Sequence, residues 1–177
     1  MPFDNDETTP STDGDLRQAT HNRIKIIDYD NLANYNDIDQ LLPNSKSSFI
    51  LLYEDSPNSG HWTAVGRDVN NDYWFFCSYG SDVDEPLSWT PKITRIKLGA
   101  GQKYLSKILN GRNVLYNSTP FQNENSDEAV CGDFVAFVVN QNSEGVPFEE
   151  ILNNIVSLKQ PNTSYAKSII DYWAKRR

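Results

Sequence analysis

Two side chains carry the chemistry legible in this chain, His61 and Cys131. His61 lies in Ser59-Gly60-His61-Trp62-Thr63-Ala64-Val65-Gly66, which reads as a loop running into a buried strand. Cys131 lies in Ala129-Val130-Cys131-Gly132-Asp133-Phe134, which reads as a loop entering the first turn of an apolar helix. A thiol at a helix N-terminus sits in the field of unpaired N–H groups, which favours the thiolate. An imidazole on a rigid strand can hold one tautomer and shuttle the proton. Together they are the apparatus of a cysteine hydrolase. The competing reading of each is ordinary: a core histidine, and a buried inert thiol. Two details favour chemistry at Cys131. Gly132 clears space for a substrate backbone, and the polar residues before it place the sulfur at an accessible helix end.

The elements that position this pair follow from periodicity. Ile24-Lys25-Ile26-Ile27 is a short strand, and residues 31–42 carry Leu32, Tyr35, Ile38, Leu41 and Leu42 at helical spacing up to Pro43. Three strand signals follow at 49–53, 61–67 and 73–79, the last two joined by an Asn/Asp turn at 68–72. That turn folds Cys77 back beside His61. Residues 81–99 read as loop, 101–110 as helix, 113–117 as strand and 118–130 as a polar loop. Cys131 to Val139 is apolar on all sides, as a buried helix requires. Val146-Pro147 opens the next helix, and Asn162 or Thr163 caps the last one. The order is α+β: an antiparallel-rich sheet flanked by helices.

Composition narrows the function classes. The 177 residues suffice for one core, and 24 Asp/Glu against 16 Lys/Arg give a net charge of −8. That balance speaks against general nucleic-acid binding and against docking on anionic membranes. Residues 1–16 are acidic and polar and read as a disordered tail, leaving 17–177 as the folded domain. Two cysteines exclude a disulfide framework. No signal peptide or membrane-length apolar run is visible. Two cysteines and one usable histidine make no zinc site, Gly99-Ala100-Gly101 makes no phosphate loop, and no metal or cofactor is expected.

Gly60-His61-Trp62, Phe76-Cys77-Ser78-Tyr79-Gly80, Gln122 and Cys131-Gly132, in that order, resemble the adenovirus-type cysteine proteases, relatives of the SUMO proteases. The resemblance covers residues 49 to about 142 and is nearest the compact maturation proteases of DNA viruses, including the virophage/Maverick type. It implies a sheet flanked by helices with the nucleophile at a helix N-terminus. It also implies Cys131 as nucleophile, His61 as base, and Gln122 with the Cys131 N–H as oxyanion donors. Trp62 would wall a substrate groove and impose small, glycine-type residues at the cut. The implied partner is a polypeptide, a capsid or scaffold precursor, with room for an activating peptide. The implied setting is a monomer in the host cytoplasm or viral factory, packaged in the virion. The sequence departs from the family at Cys77, where an Asp, Glu or Asn normally orients the histidine; Asp82 or Asp84 could substitute. DNA activation is not carried over. Two other functions compete: an isopeptidase removing a ubiquitin-like modifier, and a catalytically impaired fold used as a binding or virion module.

Overall fold

The computed structural model describes residues 3–4, 6–57, 59–123 and 128–176. Met1, Pro2, Asn5, Asn58, residues 124–127 of the polar loop and Arg177 lie outside the described residues. A five-stranded sheet runs in the order β1 (Lys25–Asp28), β2 (Ser48–Ser56), β3 (Ser59–Arg67), β4 (Tyr73–Phe76), β5 (Val114–Tyr116). The three central strands are antiparallel, and each edge strand pairs in parallel with its neighbour. Helices complete the fold: α1 (Asp13–Ala19), α2 (Lys92–Lys97), α3 (Tyr104–Leu109), α4 (Cys131–Ser143), α5 (Phe148–Leu158) and α6 (Tyr165–Ala174). The mixed α+β architecture, a sheet flanked by helices, is the one expected.

Alternation along the strands splits the core into two layers. Ile50, Leu52, Trp62, Ala64, Trp74 and Phe76 face the side filled by α4, whose Phe134, Val135, Phe137 and Val138 are fully covered, and by α5 and α6. Phe49, Leu51, Tyr53, Val65, Phe75 and Cys77 face the other side, closed by α3 and the turns near Tyr29 and Leu42. A helix sandwiched this way has no polar face to spare, which is why residues 134–139 are apolar without interruption.

Several local expectations are corrected. Residues 31–42 form no α-helix but two short 3-10 turns, Tyr29–Asn34 and Ile38–Gln40. Asp37 caps the second turn through a box with Gln40, and Tyr35 is extended between them. The acidic leader is ordered where described. Thr12 and Asp15 form a capping box that starts α1 inside the expected tail, Leu16 is buried, and the Phe3 ring meets Trp173 edge-on at 5.1 Å. The 81–99 segment carries a 3-10 turn, Glu85–Trp89, and α2. β4 stops at Phe76, so Cys77, Ser78 and Tyr79 lie beyond the strand. Ser164, not Asn162 or Thr163, caps α6, its side chain accepting from the Lys167 N–H.

Candidate active site

β3 begins two residues before His61, and Gly60 is what allows it to begin there. A Cβ at Gly60 would fall 2.0 Å from the Tyr53 carbonyl oxygen, beside the irregularity in β2 between Glu54 and Ser56. β4 pairs with β3 only from Ala64 to Arg67, so the β3 residues 61–63 have no β4 partner. His61 and Cys77 meet at that gap, and Cys131 lies near Trp62 and Cys77.

His61 Nε2 lies 3.1 Å from Cys77 Sγ. The imidazole is also held between two rings, Tyr79 at 4.9 Å and Trp89 at 5.3 Å. Cys77 is fully covered, and burial raises its thiol pKa, opposed by Ser81 and by the Tyr79 N–H beside it. Asn117, itself buried, fixes the Cys77 backbone from both sides: its Oδ1 accepts the Cys77 N–H and its Nδ2 donates to the Cys77 carbonyl. Neither aspartate supplies His61. Asp84 Oδ1 accepts from Tyr29 and Tyr53 and its Oδ2 from Ser106, while Asp82 Oδ1 accepts the Val83 N–H.

Cys131 is the first residue of α4, and the backbone N–H of Trp62, the residue after His61, is near enough to favour a thiolate there. Cys77 is near enough that a charge on either sulfur would oppose one on the other. Cys131 and His61 keep part of their surface open, yet the surrounding protein strips most of the water. Burial pushes the Cys131 thiol up to about 12 and the His61 imidazole down to about 3. The thiolate expected at a helix N-terminus is therefore not the resting form. Desolvation outweighs the N–H groups of Trp62 and Gly132, and the two groups rest as thiol and neutral imidazole.

Gln122 is buried and tethered. Its backbone N–H and that of Phe121 donate to the Ser78 carbonyl. Its Oε1 accepts from the Ser78 hydroxyl at 2.6 Å, and its Nε2 donates to the Glu128 carbonyl at 2.8 Å. Among the described residues, one amide hydrogen of Gln122 remains for another acceptor. Beside it is a cavity of about 530 Å³ lined by Tyr79, Phe121, Gln122 and Tyr165.

Trp62 lines a second cavity of about 550 Å³ with Leu52, Ser59, Gly60, Ser11 and Arg17. Its indole N–H donates to the Ser11 carbonyl at 3.0 Å. Ser11 also takes the space read from sequence as cleared for substrate at Gly132. A Cβ on Gly132 would sit 2.6 Å from that of Ser11, whose hydroxyl donates to Asp133 Oδ1. The leader thus forms a wall of the site and is clamped again where the Ala129 N–H donates to the Glu7 carbonyl. Sequence reading missed Ser11, Asn117 and Asp133. Ser11 lies in a polar stretch with no periodicity and Asn117 just after a short strand, and nothing local ties either to the cysteine helix.

Among the described residues one group of potential metal ligands clusters, Asp28, Asp30 and Glu54; it is all carboxylate and shares no residue with the His61 site. No described helix is long and apolar enough to cross a membrane.

No protein-family model matches the chain. The uncharacterized protein V9 of Sputnik virophage is 32% identical over 120 residues, covering 67% of this chain and 68% of V9. The crystal structure of the ASFV pS273R protease superposes with a TM-score of 0.51 at 15% identity, covering 96% of this chain and 70% of that one. The fold is thus shared with a viral protease.

Proposed function

The chain belongs to the family of the Sputnik virophage protein V9, and from that premise we propose that it is a cysteine endopeptidase with Cys131 as nucleophile and His61 as general base. One observation carries the reading. His61 presents Nε2 to Cys77 at 3.1 Å, while Cys131, at the head of α4, lies near the backbone of the very next residue, Trp62. With Nε2 engaged, Nδ1 is the ring nitrogen left to take a proton from Cys131. The shared fold with a viral protease supports the same assignment.

The steps follow from the resting charges. The Cys77 thiol is kept neutral by burial, so it serves His61 as an acceptor for Nε2–H, leaving Nδ1 bare. Nδ1 removes the Cys131 proton as the sulfur attacks the scissile carbonyl. The tetrahedral oxyanion receives the Cys131 N–H, which has no acceptor within the helix, and the remaining amide hydrogen of Gln122. The imidazolium then protonates the departing amine, and the C–N bond breaks to leave a thioester. Water, deprotonated at Nδ1, attacks that thioester, and the sulfur leaves and regains its proton. Trp62 and Gln122 each line a cavity in which an extended polypeptide has room to lie.

The physiological substrate in this reading is a capsid or scaffold precursor cut beside small residues, the enzyme acting in the host cytoplasm or viral factory and travelling in the virion. Cleavage of such a precursor by the wild type but not by Cys131→Ala tests the assignment; equal cleavage by both refutes it.

One observation favours a second reading, a fold that binds without cutting. A neutral thiol at position 77 steadies an imidazolium poorly, and the Cys131–His61 pair rests uncharged. A protein that never accumulates acyl-enzyme with an electrophilic peptide, while still binding that peptide, fits this alternative.

A further inference from the structure

Charge is segregated along this acidic chain. Residues 86–123 contain no Asp or Glu and six cations, Lys92, Arg95, Lys97, Lys103, Lys107 and Arg112, in a protein of net charge −8. Arg112 is spent on Asp37 and Asp39. Among the described residues Lys92, Arg95 and Lys97 form no ion pair, and Arg95 Nε is buried without an acceptor.

The same segment exposes apolar side chains. Trp89, Ile93 and Ile96 are 43%, 71% and 58% exposed, and α2 buries none of its residues. Isolated exposed apolar groups are ordinary, but three within eight residues and interleaved with three cations make a patch. The patch adjoins the site: the Trp89 ring packs edge-on against His61 at 5.3 Å and against Tyr79 at 5.5 Å.

We propose that the Trp89–Ile96 surface is a docking site for an acidic segment of the polypeptide substrate carrying apolar side chains, outside the stretch that enters the catalytic gap. The identity of the partner as substrate rests on the peptidase reading. Its chemistry rests on charge complementarity to Lys92, Arg95 and Lys97 and on the aliphatic centre of the patch. Single-stranded nucleic acid would use the cations and stack on Trp89 but leave both isoleucines uncovered. Binding to an anionic membrane scales with the apolar area buried in it, and the six residues of α2 offer only two isoleucines.

The test uses the Cys131→Ala protein, so that binding is read without turnover. Fluorescence anisotropy compares four probes: a labelled 12-residue peptide alternating Glu with Leu, its Gln-for-Glu counterpart, a dT12 oligonucleotide, and vesicles containing phosphatidylserine. The acidic peptide is expected to bind at least about tenfold more tightly than the Gln peptide at low salt, with the gap closing at about 0.5 M salt. Lys92→Glu with Lys97→Glu, both at exposed positions, reverses that preference. Ile93→Ser with Ile96→Ser weakens the acidic peptide about tenfold and leaves the salt dependence intact. Circular dichroism confirms that each variant is folded. The proposal is overturned if the charge reversal leaves acidic-peptide binding unchanged. It is equally overturned if the isoleucine pair is without effect, or if dT12 or vesicles bind more tightly than the peptide. Patch-dependent binding with no hydrolysis by the wild type sinks the peptidase reading alone; hydrolysis with no patch-dependent binding sinks the docking site alone.

Discussion

His61 Nε2 meets Cys77 Sγ at 3.1 Å, so the atom that steadies the imidazole is a sulfur where a carboxylate oxygen would bring a full charge. Burial holds the Cys77 thiol neutral, but the N–H groups of Tyr79 and Ser81 lie near its sulfur and would receive a carboxylate there. Cys77→Asp should therefore be accepted locally and should raise the His61 pKa from about 3, since an anion beside the ring favours its charged form. The expected result is a rise in kcat on the order of tenfold and a shift in the acid limb of the pH profile. Cys77→Ala should lower kcat by a similar factor. Activity that is the same in all three proteins, with an unmoved profile, would remove Cys77 from the mechanism.

The resting state of Cys131 makes a second prediction. With its thiol pushed up to about 12, the thiolate fraction at neutral pH is minute. Alkylation by iodoacetamide should rise about tenfold per pH unit from pH 6 to 9, with no plateau. Cys77, fully covered, should remain unlabelled in the folded protein. A plateau of Cys131 labelling below pH 8 would mean a preformed thiolate–imidazolium pair and would contradict the neutral resting pair.

How legible the molecule was in its sequence depends on the range of the interactions. β2, β3 and α4 are unambiguous because continuous apolar runs such as Phe49 to Tyr53 and Phe134 to Val139 have nowhere to go but the core. His61 and Cys131 stood out because each sits at the start of such a run. Residues 31–42 carried helical spacing, but Asp37 satisfies its own backbone locally and splits them into 3-10 turns. The leader shows the opposite case. Its composition is that of a disordered tail, and it is held by contacts more than 120 residues distant, Ser11 to Asp133 and Glu7 to Ala129. The balance of burial against helix-end N–H groups at Cys131 is likewise a three-dimensional quantity, which the helix N-terminus alone does not give.

Gly132 predicts a compensating pair. An alanine there would put Cβ 2.6 Å from the Ser11 Cβ, so Gly132→Ala should push the leader off the head of α4. The cost of such overpacking is about 1–3 kcal/mol. Limited proteolysis between residues 6 and 12 should accelerate in the variant. Adding Ser11→Gly removes the colliding atoms and should restore most of the stability and the protection. If Gly132→Ala is as stable and as resistant as the wild type, the leader does not rest against α4 in solution.

Asp133 links the same contact to pH. Burial raises its carboxyl from 3.8 to about 7, opposed by the hydroxyl of Ser11. Between pH 3.8 and 7 the folded protein binds more protons here than the unfolded chain, so this group's stabilisation is lost as pH rises through that window. His61 works in the other direction. Its folded value of about 3 lies below 6.5, so stability is lost as pH falls from 6.5 toward 3. Asp133→Asn keeps an oxygen for the Ser11 hydroxyl and removes only the first of these effects. The variant should therefore melt close to the wild type near pH 4 and increasingly above it as pH rises to 8, by about 1–3 kcal/mol at the upper end. Calorimetric Tm differences at pH 4, 6 and 8 measure this directly. A difference that stays constant across that range would show that the Asp133 carboxyl titrates no differently in the folded protein than in the unfolded chain.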